Sequence, residues 1–211
     1  MVETGWPDRL RGAFRVELRA EAIGLAGRGW PVVPGTCVAA EQGADSAEGW
    51  TRPVPVEQNW HERDSANPDE VAATWAGYPY SLLVATGTVL DAIEVGDELG
   101  RRAARLLRVI GQPAPIVAMP DGRWLFLTRT ARRVPADLAE NDDVQWHGTG
   151  SFVALPPTPF SHGVVHWRVK PTAWGWRLPS PDVVHDVLVG ALYNEPSSAV
   201  HRLVAAGPSA A

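Results

Sequence analysis

Two apolar runs lie nearly end to end in the middle of the chain, "SLLVATG" at residues 81–87 and "VLDAIEVG" at 89–96. Each suits a buried strand, and only a glycine turn separates them. A parallel pair needs a long crossover, so the spacing predicts an antiparallel hairpin. The second run leads straight into a helix over about 98–110, with Leu99, Ala103, Leu106, Leu107 and Ile110 on its apolar face. Asp97 reads as its N-cap, and Gly111 followed by Pro113 reads as its stop.

Around this centre the other elements fall into place. Phe14, Leu18, Ala22 and Leu25 give residues 11–28 a helical period that Gly29 ends. "WPVVPGTCVAA" is a short buried strand broken at Pro34-Gly35, and residues 41–64 form a long loop without periodicity. Asn67, Pro68 and the acids Asp69 and Glu70 start a second helix that turns Val71 and Trp75 inward. Strands follow at Ile116–Met119 and Trp124–Thr128, joined by a Pro120-Asp121-Gly122 turn. Residues 131–143 are a short helix or loop. "VQWHGTGSFVALPPT" is two short strands around a glycine turn, "VVHWRV" is another strand, and Ser180-Pro181-Asp182 starts a last helix that runs to about Tyr193. Strands and helices mix without regular βαβ alternation, which predicts an α+β fold. The reading is a single domain over 1–205 with a flexible tail at 206–211.

Charge narrows the function. A net charge of −5 on 211 residues excludes a broad basic footprint. Nucleic acid would need a local groove, for which Arg101, Arg105 and Arg108 on the outer face of the 98–110 helix are candidates, with Arg129, Arg132 and Arg133 beside them. The single cysteine, Cys37, permits no internal disulfide and no Cys-rich zinc site. With no apolar signal core and no apolar run long enough to span a bilayer, a cytoplasmic protein with no membrane contact is expected. Most of the ten tryptophans are read as packing, though such rings also serve as stacking platforms.

The stretch 89–98 holds four acids, Asp91, Glu94, Asp97 and Glu98, which suggests a metal site. Strand alternation turns Asp91 and Glu94 to opposite faces. Asp97 and Glu98 suit the helix start. Only Glu94 lacks a structural duty, and one carboxylate does not hold two divalent ions. No metal and no other cofactor is expected. The histidines show no metal spacing, and no nucleophile elbow, phosphate loop or dinucleotide fingerprint occurs.

Taken in order, "EAIGLAGRGWPVVPG", "DEVAATWAGYPYSLLVATG", "MPDGRWLFL" and "GTGSFVALPPT" resemble successive segments of the prim-pol domain of bifunctional DNA primase/polymerases, in the archaeo-eukaryotic primase superfamily. A closer likeness is to short actinobacterial proteins that carry this domain. The resemblance implies an α/β lobe and a lobe like an RNA-recognition motif around a nucleotide-binding cleft. Active members carry acid–apolar–acid on one strand for two metals. Here that strand matches "IEVG", so Glu94 keeps the first acid and Gly96 stands at the second. The family's Thr-Pro-x-Gly-Gly-x-His turn matches "MPDGRW", with Trp124 read at the histidine, and the third acid matches Gln145.

The expectation is a catalytically degenerate primase/polymerase-like protein that acts by binding a protein partner, a nucleotide or single-stranded nucleic acid. Arg123, Trp124, Trp146 and His147 are the ligand-binding candidates, with Trp124 and Trp146 filling or lining the old cleft. Two other readings stand beside it. One is an active primase using Mg²⁺ or Mn²⁺ on displaced acids, with Asp91, Asp97 or Asp121 converging on Glu94. The other is an oligomerising interaction protein.

Overall fold

The computed structural model describes residues 8–37, 52–62, 66–112, 114–161 and 163–193. The expected tail at 206–211, most of the 41–64 loop, Pro113, His162 and His201 lie outside them. The described residues hold five α-helices and ten strands in an α+β arrangement, as the mixed element order predicts. Among them, no helix is long and apolar enough to cross a membrane.

The chain divides into two compact units. One runs up to Ala85 and adds Val153–Val165. It contains α1 (Asp8–Ala26), β1 (Val32–Gly35), α2 (Pro68–Gly77) and β2 (Ser81–Ala85). Strands β1 and β2 are antiparallel, with Val33 opposite Leu83 and Pro34 opposite Leu82. Pro34-Gly35 therefore lies inside β1 rather than breaking it. Proline, which has no N–H to donate, is tolerated there because β1 is an edge strand of its sheet, and the Pro34 carbonyl accepts from the Val56 amide at 3.0 Å. The Asn67 side chain caps α2 on the Asp69 amide at 2.9 Å, as expected. Leu18, Ala22, Val71, Trp75 and Leu82 are buried.

The other unit spans Thr86–Phe152 and continues from His166. It contains β3 (Asp91–Gly96), α3 (Asp97–Val109), β4 (Ile116–Ala118), β5 (Arg123–Thr128), the short α4 (Ala136–Ala139) and β6 (Val144–His147). β7 (Phe152–Ala154) joins the sheet of β1 and β2, and β8 (Pro159–Phe160) pairs with β9 (Gly163–Val164). β10 (His166–Val169) and α5 (Pro181–Tyr193) complete the second unit. Its sheet runs β10-β4-β5-β3-β6 and is antiparallel throughout. Leaving out β10, the order β6-β3-β5-β4, with α3 after the first of these strands in sequence and α4 before the last, is the β-α-β-β-α-β arrangement shared by ferredoxin-like and RNA-recognition folds.

The expected hairpin of 81–87 with 89–96 does not form. β2 pairs with β1, and β3 pairs with β5 and β6. Gly87, at φ +98°, turns the chain between two different sheets, and its amide donates to Leu90 O at 2.8 Å.

One face of the five-stranded sheet is covered by helices. Ile93 and Val95 of β3, Ile116 of β4, and Trp124 and Phe126 of β5 pack with Leu99, Ala103 and Leu107 of α3 and with Val184, Val187 and Leu188 of α5. Asp97 is not the N-cap of α3. Gly96 holds that position, and the Asp97 carboxylate turns forward to Arg101 one turn along. Trp124 packs closely against α3 at Gly100, where an added Cβ would meet the indole at 2.9 Å. The Arg168 guanidinium covers the same ring at 4.8 Å.

Two outcomes follow from this packing. Gly100→Ala is expected to lower stability by about 1–3 kcal/mol in urea unfolding, through overpacking against Trp124; an unchanged midpoint would remove the close contact. His185 on α5 is buried, and desolvation lowers its pKa from the ordinary 6.5, against the pull of the Asp182, Asp186 and Asp91 carboxylates. Below pH 6.5 the unfolded chain then binds the proton first, so unfolding free energy falls as pH drops through that value. Urea titrations from neutral to mildly acidic pH are expected to show this fall, reduced in His185→Gln.

Candidate functional site

Alternation gives the second face of the five-stranded sheet its own residues: Glu94 and Gly96 from β3, Arg123 and Leu125 from β5, and Gln145 and His147 from β6. The register places Glu94 between Leu125 and Gln145, and Gly96 opposite Arg123. Glu94 is nearly sealed, with a side chain 3% exposed. Burying a carboxylate is costly unless it is paired and hydrogen-bonded. Both of its oxygens are: Oε1 accepts from Arg123 Nε at 3.0 Å, and Oε2 lies 2.9 Å from His147 Nε2.

Arg123 reaches further. Its Nη1 donates to Asp143 Oδ1 at 2.6 Å and its Nη2 to the Asp143 carbonyl at 3.0 Å. Asp143 precedes β6, held by its amide on Asn141 Oδ1 at 2.9 Å. Its second carboxylate oxygen accepts from the Gly96 amide at 3.2 Å. A Cβ built on Gly96 would stand 2.5 Å from both Asp143 oxygens. The Asp143 carboxylate thus fills the space a side chain at 96 would take. One guanidinium bridges two carboxylates, and the planar fork of arginine suits that task better than lysine.

Arg123 and His147 both meet Glu94. Trp124 does not line this face; it is opposite Val95 and belongs to the helix-side core. Counted from Met119, the seven-residue turn pattern ends on Leu125, the residue paired with Glu94, so the position read at Trp124 is shifted by one. Gln145 is exposed directly across from Glu94. Asp97 pairs with Arg101, and Asp121 accepts from the Arg123 amide at 3.1 Å in the turn. Asp91 faces the other side, so the acid that joins Glu94 through Arg123 is Asp143, which the sequence reading missed. Its signal was available: Asp143, Gln145 and His147 alternate toward one face. Arg105 and Arg108 are exposed on α3, whereas Arg101 is already paired.

Asp91 organises a second feature. Its Oδ2 accepts from the Ala131 amide at 2.8 Å and from Trp146 Nε1 at 3.3 Å, although the residue is buried. Trp146 remains 39% exposed and lies against Gly148, where an added Cβ would meet the ring at 2.6 Å. Trp146, Thr130, Arg132, Gly148, Thr149 and Ser151 line a cavity of about 780 Å³. Ser151 connects the two features, because its Oγ lies 3.1 Å from His147 Nδ1.

Among the described residues, no group of three or more His, Cys, Asp or Glu is arranged to hold a metal ion. The donor set does not fit a pair of divalent cations as it stands, because Arg123 engages Glu94 Oε1 and Asp143 Oδ1, His147 engages Glu94 Oε2 and the Gly96 amide donates to Asp143 Oδ2. A family model for the N-terminal domain of bifunctional DNA primase/polymerases, Prim-Pol, matches residues 22–182. Among curated proteins, none matches the chain.

Removing one partner of a sealed ion pair leaves a buried charge unmatched. Arg123→Gln is expected to cost about 3 kcal/mol in urea unfolding, the low end for such a loss because the arginine is 23% exposed. Glu94→Gln added to it is expected to recover part of that loss in a double-mutant cycle. Additive losses would show that the pair contributes nothing as a pair.

Proposed function

The chain belongs to the prim-pol family of bifunctional DNA primase/polymerases, and from that premise we propose that it keeps the scaffold, lacks nucleotidyl transfer, and acts by binding. The observation that carries this reading is the Arg123 bridge between Glu94 and Asp143. Two-metal phosphoryl transfer needs converging carboxylates free to coordinate. Here the two that converge are committed to a fixed internal cation. Gly96 brings no second acid to the strand, Gln145 offers an amide in place of a carboxylate, and Leu125 has no polar atom for a phosphate.

The cavity beside this site favours a nucleotide or a short single strand as the ligand. Trp146 presents a ring held in place by Asp91, Arg132 supplies a cation, and Thr130, Thr149 and Ser151 supply hydroxyls. Base stacking on an aromatic ring contributes about 1–3 kcal/mol. Arg129, Arg132 and Arg133 are all exposed in the segment that follows β5. A local cluster of this kind is what an acidic protein needs for salt-dependent contact with phosphates.

A second reading, an active primase with a displaced acid, is favoured by one observation, the Asp143 carboxylate at the position a Gly96 side chain would take. Template-dependent nucleotide incorporation with Mg²⁺ and with Mn²⁺ separates the two. No incorporation is expected from the native chain; incorporation abolished by Glu94→Ala would establish the second reading instead. Binding is expected in anisotropy titrations with labelled oligothymidylate or a labelled mononucleotide, weakened at least tenfold by Trp146→Ala and by raised salt. No binding of either probe, with a mass that grows with concentration in light scattering, would point to an oligomerising protein.

A further inference from the structure

We propose that Ser151, His147 and Glu94 form an acyl-transfer site at the cavity, with Ser151 as nucleophile and His147 as general base. This goes beyond the binding role and does not rest on it. Ser151 Oγ lies 3.1 Å from His147 Nδ1, and His147 Nε2 lies 2.9 Å from Glu94 Oε2. A nucleophile, a base and a group that orients the base are thus within hydrogen-bonding reach of one another.

The pairing of Glu94 sets the direction of the relay. A carboxylate ion-paired with arginine accepts hydrogen bonds and donates none. Neutral His147 must therefore carry its hydrogen on Nε2, which leaves the Nδ1 lone pair facing Ser151. The serine hydroxyl donates to that lone pair, as general-base activation requires. The two ring nitrogens exchange the roles they hold in chymotrypsin-like triads, and either nitrogen of an imidazole serves as the base. Burial supports the assignment. Glu94 and His147 are nearly enclosed, whereas Ser151 is only partly buried and lines the cavity.

The turn around Ser151 suits the same chemistry. The Ser151 amide closes the turn on Gly148 O at 3.1 Å, with Gly150 at φ +77°. Among the described residues, the Thr149 and Gly150 amides donate to no backbone carbonyl, and the proposed site assigns them as donors to an oxyanion formed at the neighbouring serine. The substrate class follows from the cavity wall: an ester or thioester bearing a negative group, with Arg132 as its counter-charge.

The step balances. Ser151 Oγ adds to the ester carbonyl carbon as its proton passes to His147 Nδ1, and the imidazolium is held by Glu94. The carbon–oxygen or carbon–sulfur bond of the leaving group breaks, and His147 returns the proton to it. Water then enters by the same relay, releasing the acid and restoring Ser151.

The test uses the intact chain and a fluorophosphonate reporter, whose fluoride is displaced by an activated serine. Mapping of the adduct by mass spectrometry is expected to place it on Ser151. Labelling is expected to be lost in Ser151→Ala and slowed at least tenfold in His147→Gln, each variant checked for native circular dichroism. No adduct on Ser151 of the folded native chain, or a rate unchanged in His147→Gln, overturns the proposal. A nitrophenyl succinate monoester is expected to be cleaved faster than nitrophenyl acetate, with the preference lost in Arg132→Ala; equal cleavage would overturn the anionic substrate class. Because the reporter needs no nucleotide, labelling without oligonucleotide binding would sink the binding role alone, and the converse would sink only this site.

Discussion

The Arg123–Glu94 ion pair governs this face of the sheet. A carboxylate as enclosed as Glu94 has to be matched, and the matching group dictates what else the site can do. A divalent ion would match it and leave coordination positions open for a substrate. A guanidinium matches it and leaves none. By reaching on to Asp143, the same arginine fixes the entry of β6, and through His147 the carboxylate is linked to the Gly148–Ser151 turn. Removing that charge pair would therefore disturb strand position, imidazole orientation and the local field together.

Much of the architecture was legible because it rests on local periodicity. The apolar stripe of α3, the Asn67 cap, the stop at Gly111 and the opposed directions of Asp91 and Glu94 all follow from spacing within one element. The α+β class followed from the order of elements, and the lobe like an RNA-recognition motif was implied by the family resemblance. What failed was non-local. Nothing within "SLLVATG" says that its partner is "VVPG" some fifty positions earlier, since a strand buried on both faces carries no signal of which neighbour it takes.

The site was only partly legible for the same reason. Glu94 and Gly96 were found on one strand, and Arg123 and His147 were chosen beside them. Asp143 was missed because its role exists only once β6 lies alongside β3, and because the group it replaces is a side chain that glycine lacks. Trp124 was misplaced by one residue, which in a strand is enough to move a side chain to the opposite face. There it packs under α3 rather than lining the site.

Asp91 carries a last consequence. It is a buried carboxylate of β3 that holds an amide from the segment after β5 and an indole from β6. Two neighbouring strands and the segment that follows a third therefore share one anchor at the rim of the cavity. Walls tied together in this way keep their spacing in the empty protein. A molecule that enters surrenders its own freedom but demands little from the host, and such pre-set recesses bind small rigid rings more tightly than their contact area alone suggests.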